Sequence, residues 1–261
     1  MKLLERQDTY AEFLDRVRSA AERVLLLDYD GTLAPFTVDR EHAFPYPDVP
    51  PLLQRISKAG TRLGLISGRP ARHVMLLSGV HPHPEIWGSH GLERLKPDGT
   101  YEARPLRTDQ EAQLLNAAAA LRARGMESHM EVKLGSVAVH WRGRDDAAAI
   151  KQQVSALWNP ISNAGALQLR EFDGGLELRA PEINKGNAVR TILDESGVDS
   201  AIAYLGDDLT DEDAFHALKG RGLTALVRPE FRTTAADIWL RPPEELIQFL
   251  TEWLRATGGE A

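Results

Sequence analysis

The chain opens with apolar residues at helical spacing, Tyr10, Phe13, Leu14 and Val17, and then changes rhythm to the unbroken run Val24-Leu25-Leu26-Leu27. A run without polar alternation is what a strand presents when helices cover both of its faces, so it reads as a buried parallel strand. Two further runs share that character: Leu63-Gly64-Leu65-Ile66, which ends at Ser67, and Ile202-Ala203-Tyr204-Leu205-Gly206, which ends at Asp207. Each follows a helical pattern, and repeated helix-then-strand units predict an open α/β sheet. Ala225-Leu226-Val227, Ile238-Trp239-Leu240 and a closing helix opened by Pro242-Pro243-Glu244-Glu245 extend the pattern. Residues 44–51, with prolines at 45, 47, 50 and 51, read as a stiff loop.

Between about Arg107 and Ala180 the rhythm differs. An alanine-rich helix (109–124) precedes residues 128–141, which alternate in period two about Gly135-Ser136, a two-residue hairpin turn. With that turn, Lys133 opposes Ala138, Glu131 opposes His140 and His129 opposes Arg142 on a polar face. Val132, Leu134, Val137, Val139 and Trp141 then form an apolar face. A second helix (145–158) and two alternating stretches, 167–172 and 176–179 around Gly174-Gly175, complete a small α+β unit. The predicted fold class is α/β: a Rossmann-like core with a mostly parallel sheet (residues 1–106 and 181–261) and an inserted α+β cap (107–180).

Composition narrows the field. The chain has 261 residues, 43% hydrophobic and 26% charged, enough to bury one core with an appended unit. Its net charge of -7 argues against a nucleic-acid or anionic-membrane partner, while leaving room for a local basic pocket for a small anion. The absence of cysteine excludes disulfides, thiolate nucleophiles and Cys-ligated metals. Apolar runs are too short to span a bilayer, and residues 1–15 hold no continuous apolar stretch of a secretory leader, so a cytoplasmic location is expected. The oligomeric state is left open, with a monomer favoured.

The chemistry gathers where the buried runs end. In Asp28-Tyr29-Asp30-Gly31-Thr32 two carboxylates two positions apart follow a strand. Asp28 can attack phosphorus to form an aspartyl phosphate, and Asp30 can act as acid and then base. Gly31 lets the chain turn sharply. An isolated Asp-x-Asp is ordinarily a turn or a cap, so the weight falls on context. That context is the second acidic stretch, Gly206-Asp207-Asp208-Leu209-Thr210-Asp211-Glu212-Asp213, also directly after a buried run. Its hard oxygen ligands can complete a Mg²⁺ site with Asp28 and the carbonyl of Asp30. Thr210 and Asp213 have the spacing of a capping box, which assigns Asp213 and Glu212 to a helix start. Ser67, in Ser67-Gly68-Arg69-Pro70, either caps a helix or binds a phosphoryl oxygen. Lys185 stands at a helix start, where a cation is unfavourable, and neutralising Asp28 and its phosphate supplies a reason for it. His90, after the strand-like Glu85-Ile86-Trp87, is either a hydrogen-bonded structural residue or part of the site.

These residues in this order resemble the haloacid dehalogenase superfamily of phosphatases, with an insertion where its type 2 cap occurs. More narrowly, the chain resembles the trehalose-6-phosphate phosphatase family. The matching stretches are Ser67-Gly68-Arg69, Gly88-Ser89-His90-Gly91-Leu92-Glu93, Glu131-Val132-Lys133, Val139-His140-Trp141-Arg142, Asn184-Lys185-Gly186 and Gly206-Asp207-Asp208-Leu209-Thr210-Asp211-Glu212. Trp141 departs from the tyrosine expected there. The resemblance implies Mg²⁺-dependent hydrolysis of trehalose 6-phosphate. Asp28 would be nucleophile and metal ligand, Asp30 acid/base and a ligand through its carbonyl, and Asp207 the remaining carboxylate ligand, with Asp208 or Asp211 close by. Ser67 and Lys185 would complete the catalytic set. Glu131, Lys133, His140 and Arg142 would contact the sugar, with Arg69, His90, Gly91 and Glu177 as further substrate-binding candidates. The alternatives are a phosphatase of another sugar phosphate, such as a glucosylglycerate phosphate or a hexose phosphate, and a non-catalytic sugar-phosphate sensor.

Overall fold

The computed structural model describes residues 2–3, 8–37, 39–172 and 174–259; residues 4–7, part of the stretch read for a leader, lie outside them. The chain divides into two compact units, one holding the residues up to Glu102 together with those from Lys185 on, the other Ala103–Asn184. The first begins with β1 (Lys2–Leu3), α1 (Asp8–Ser19), β2 (Arg23–Leu27), α2 (Val49–Lys58), β3 (Thr61–Ile66), α3 (Ala71–Leu77), β4 (Glu85–Gly88), β5 (Glu93–Leu95) and β6 (Tyr101–Ala103). The inserted unit contains α4 (Thr108–Arg122), β7 (Met130–Lys133), β8 (Ser136–His140), α5 (Ala147–Asn163), β9 (Gln168–Phe172) and β10 (Gly175–Arg179). The first unit resumes with α6 (Lys185–Glu195), β11 (Ala201–Gly206), α7 (Glu212–Leu218), β12 (Leu223–Val227), β13 (Ile238–Leu240) and α8 (Glu244–Ala256).

The core sheet has the order β1-β13-β12-β11-β2-β3-β4-β5-β6, parallel from β13 through β4 and antiparallel where β1 and β5 join. Its strands lose polar alternation because both faces are covered. Leu25, Leu27, Leu63, Leu65 and Leu205 pack with Phe13, Val17, Leu53, Phe249 and Trp253 on the side of α1, α2 and α8. Val24, Leu26, Ile202 and Tyr204 pack with Val189, Ile192 and Phe215 on the side of α6 and α7. The chain runs outward from β2 to β3 and β4, then returns to β11 on the other side of β2. That reversal is a topological switch point, and it opens a crevice beyond the carboxyl ends of β2 and β11.

One expectation changes here. Residues 44–51 are not all loop, since Val49 to Pro51 form the first turn of α2, where Pro50 and Pro51 have no intrahelical hydrogen bond to forfeit.

In the inserted unit β7-β8-β10-β9 form an antiparallel sheet backed by α4 and α5. The hairpin register differs from the expected one by two residues: Lys133 opposes Ser136, Glu131 opposes Ala138 and Val132 opposes Val137. The loop is Leu134-Gly135, because the only residue there that readily adopts a positive φ, Gly135 at 81°, takes the second loop position and leaves Ser136 to begin the strand. A shift of two preserves the faces, so Glu131, Lys133 and His140 still share one side. The opposite face is only partly packed. Val137 and Val139 are buried, whereas Val132 on edge strand β7 and Leu134 in the loop after it stay exposed. His129 and Arg142 fall outside the paired strands.

Candidate active site

Asp28 follows β2, and its N–H still donates to Leu205 O (2.8 Å), so it is anchored by the ladder to β11. The pairing of Leu27 with Leu205 brings Asp207 to the same sheet edge. Gly31, at φ 84°, is required by the approach of the two acids, since a Cβ there would overlap the Asp207 carboxylate. Lys185, the first residue of α6, places its Nζ 2.7 Å from Asp28 Oδ1 and 2.7 Å from Asp211 Oδ1. A cation at a helix start is thus explained by two buried carboxylates.

Asp211 organises this cluster. Its Oδ1 accepts from Lys185 and from the Tyr204 hydroxyl (2.5 Å), and its Oδ2 accepts from the backbone N–H groups of Asp207 (3.2 Å) and Asp208 (3.0 Å). Gly206 makes room for it, as any Cβ there would collide with the Asp211 side chain. Asp211, rather than Asp208, therefore joins Asp28 and Asp207 in a buried set whose ligand atoms lie within 4.8 Å of one another. The reason is a short 3-10 turn at Leu209–Asp211, which brings Asp211 back under the loop while Asp208 caps the turn through Leu209 N. The capping box accordingly joins Asp208 to Asp211 instead of Thr210 to Asp213. Glu212 and Asp213 do lie in the first turn of α7, and Glu212 also ties down the segment 232–235 through Arg232, the Thr234 hydroxyl and Ala235 N.

Burial pushes Asp28 up to about 7, against the opposing pull of Lys185, and burial with the charge of Asp28 raises Asp207 well above the carboxylate range. For Lys185, burial alone would favour the neutral amine, but Asp211 and Asp28 outweigh it and raise its pKa. Both oxygens of Asp207 are buried without a hydrogen-bond donor among the described residues. Such an oxygen pair beside Asp28 fits a hard divalent cation. Asp211 is less available to it, because its oxygens already accept from four donors.

Arg69 meets Asp30 through a two-pronged contact, Nε to Oδ2 and Nη2 to Oδ1, both 2.7 Å, and also donates to Arg40 O (2.7 Å). The guanidinium is buried and the carboxylate half-buried. This geometry, chosen by the planar fork of arginine, fixes the carboxylate plane of Asp30. Ser67 is buried after β3, its Oγ accepting from Arg69 N (3.1 Å) and its carbonyl from His90 N (2.9 Å); the N-cap of α3 is Pro70. Ser89, His90 and Gly91 all have positive φ (48°, 58° and 97°), an unusual run for two non-glycine residues. Gly68 admits the His90 ring, whose Cε1 would stand 2.7 Å from a Cβ there.

The polar face of the inserted unit forms a second cluster. Glu177, on β10, accepts from Lys133 Nζ (3.0 Å) and Ser136 Oγ (2.8 Å). Glu131 pairs with His140 Nε2 (2.8 Å). Arg142 lies past the end of β8 against Gly174. Sequence reasoning had not drawn out the roles of Tyr204, Arg228 and Arg232. Arg232 donates to Asp208 O (2.8 Å) and, with Arg228, reaches Asp207 O. A tyrosine inside a fully buried run was the available signal, since its hydroxyl must find a partner.

A parallel sheet interrupted by an α+β insertion, with acids at adjacent strand tips and a lysine at a helix start between them, defines a haloacid dehalogenase-like hydrolase fold. Solved structures share it. The C-terminal domain of Candida albicans trehalose-6-phosphate phosphatase superposes with a TM-score of 0.80 over 94% of this chain and 96% of that one, at 20% identity. A haloacid dehalogenase-like hydrolase from B. subtilis gives 0.64 over 88% and 99%, at 13% identity. The sequence model of the trehalose-phosphatase family matches residues 26–236, and the chain belongs to that family. It is 32% identical over 241 residues to the trehalose-phosphate phosphatase of Mycobacterium marinum, covering 86% of this chain but only 60% of that protein's length. Against the probable trehalose-phosphate phosphatase C of Arabidopsis thaliana the identity is 28%, over 91% of this chain and 79% of the relative. No helix among the described residues is long and apolar enough to cross a membrane.

Proposed function

We propose that this chain hydrolyses trehalose 6-phosphate to trehalose and phosphate through an aspartyl phosphate on Asp28. The observation that carries the reading is the buried group of Asp28, Lys185 and Asp207, in which one oxygen of Asp28 is tied to Lys185 and the Asp207 oxygens have no donor among the described residues. In the first step an Asp28 oxygen bonds to phosphorus and the ester P–O bond breaks. Asp30 in its acid form gives the departing sugar oxygen its proton. In the second, Asp30 takes a proton from water as the water oxygen bonds to phosphorus, and the phosphorus–Asp28 bond breaks.

Lys185 holds the Asp28 carboxylate in one orientation and offsets negative charge, while Ser67 and nearby N–H groups are suited to the phosphoryl oxygens. Mg²⁺ would be held by Asp28, Asp207 and the carbonyl of Asp30, with Asp208 assigned to the turn that presents Asp207. A bound divalent cation supplies neutralisation of the carboxylates and the phosphoryl group. Glu131, Lys133, His140 and Glu177, with Arg142, are the groups suited to sugar hydroxyls, because they present several donors and acceptors on one sheet face. His90 and Gly91 are assigned to the phosphate end.

The test is kcat/KM for a panel of sugar phosphates with Mg²⁺. Trehalose 6-phosphate is expected to lead. Equal or better turnover of glucose 6-phosphate or a glucosylglycerate phosphate would overturn the disaccharide assignment, and tight binding without phosphate release would overturn the enzymatic one.

A further inference from the structure

The polar face of the inserted unit carries one large apolar side chain, Phe172. The register places Phe172 opposite Gly175 on β10, and Gly175 opposite His140 on β8, so the three residues form one row across the sheet. Phe172 does not stand upright in that row. A Cβ on Gly175 would overlap its Cζ, so the ring tip occupies the space a side chain at 175 would fill. The ring crosses the glycine to reach His140, with centroids 5.2 Å apart and planes at 61°. Its tip therefore reaches across Gly175 towards β8, and the side chain remains half-buried rather than covered. On the same face His140 stands in the ring's own row, Arg170, Glu177 and Glu131 stand in the next, and Lys133 in the one beyond.

A half-buried aromatic ring beside carboxylates and cations on one sheet face is suited to a pyranose. Equatorial hydroxyls meet the polar groups at the edge, while the axial C–H groups of the sugar ring present an apolar patch to the aromatic face. We infer that Phe172 is a platform for a sugar ring and a determinant of sugar specificity, with Gly175 required so that the ring tip can cross the strand. This rests on the sugar-phosphate reading above and names a residue that recognises the sugar instead of the phosphate.

The experiment compares steady-state kinetics on the best sugar phosphate with those on p-nitrophenyl phosphate, which has no pyranose. Phe172→Ala is expected to raise KM for the sugar phosphate about tenfold more than KM for p-nitrophenyl phosphate. Phe172→Leu keeps apolar bulk without a planar face and should be nearly as impaired, whereas Phe172→Trp should recover most of the difference. Equal changes on both substrates, or full recovery by Phe172→Leu, would overturn the inference and mark the ring as packing. A wild-type enzyme with no preference for any sugar phosphate over p-nitrophenyl phosphate would overturn the functional reading and this one with it. A clear sugar preference that Phe172→Ala leaves unmoved would overturn this one alone.

Discussion

In the core, Asp28, Asp30, Ser67, Lys185 and Asp207 come from distant points of the chain and meet because each stands just beyond a buried strand or at the start of a helix. In the inserted unit, Glu131, Lys133, His140 and Glu177 come from adjacent antiparallel strands and meet because they occupy alternate positions on one face. The first arrangement ties its charges into fixed pairs, Lys185 joining Asp28 to Asp211 and Arg69 gripping Asp30 with both prongs, and leaves the Asp207 oxygens without a donor among the described residues. The second is a lattice of polar contacts, with Lys133 and Ser136 on Glu177 and His140 on Glu131, in which the proposed sugar recognition would be shared among several groups. A locked site should fail abruptly when one member is removed, and a shared face should weaken by degrees.

The sharpest test of that difference is Asp28→Asn, which leaves no carboxylate to bond phosphorus. The expected loss is at least about 10⁴-fold in kcat, equal for a sugar phosphate and for p-nitrophenyl phosphate. Retention of a hundredth of the activity would break the comparison, since the core would then share its task as the cap face does.

Arg69→Ala is expected to lower kcat by about 10²-fold on both substrates, the lower end of what a positioned acid/base contributes, because Asp30 loses the fork that fixes its plane. Arg69→Lys should recover little, as an ammonium cannot reproduce the two-pronged contact. A rise in KM confined to the sugar phosphate would instead assign Arg69 to the sugar, and the pH profile of kcat should move in the first case and not in the second. Below this comes Glu131→Ala. One lost charged hydrogen bond should raise KM for the sugar phosphate about tenfold more than for p-nitrophenyl phosphate. Equal effects would remove the cap face from substrate recognition.

These outcomes bear on what the sequence discloses. The meeting of Asp28 and Asp207 was legible because a buried parallel strand has a readable signature and the sheet topology forces its end into the crevice, and that of Lys185 because a cation at a helix start needs an anionic partner. The two faces of the β7–β8 hairpin were legible because strand period is two, yet the pairing was not: Gly135 could take either loop position, and the alternation is blind to a shift of two. The partner of Arg69 was hidden as well, since a motif such as Ser67-Gly68-Arg69 records neighbours along the chain, whereas Asp30 approaches it from another strand end. Asp211 was placed near the site, but its role as acceptor for four donors depends on a 3-10 turn that no periodicity announces.

The smallest effect lies away from both clusters and asks whether the core's locking extends through α6. Lys185 begins that helix and Glu195 ends it. Glu195 accepts from Arg94 (2.7 and 2.8 Å) and Arg62 (2.6 Å), which also hold Glu85, fastening the far end of the helix to β3, β4 and β5. The hydrogen bonds from Arg94, helped by the one from Arg62 and by the charge of both guanidiniums, bring Glu195 from an ordinary 4.5 down to about 2 against a desolvation cost that exceeds the Arg62 hydrogen bond alone. A carboxylate with a lowered folded-state pKa contributes stability that is fully present above the unfolded value of 4.5 and is lost as pH falls towards 2. Because Glu195 is more than a third exposed, solvent screens the pair, and Glu195→Gln should cost only about 1 kcal/mol at pH 7. Denaturant unfolding at pH 7, 4.5 and 3 is expected to show that cost intact at the first, beginning to shrink at the second and smaller at the third. If kcat on p-nitrophenyl phosphate fell in step with stability, the locking would reach from the helix end to Lys185; if only stability moved, the lock would be confined to Asp28, Asp211 and the lysine between them.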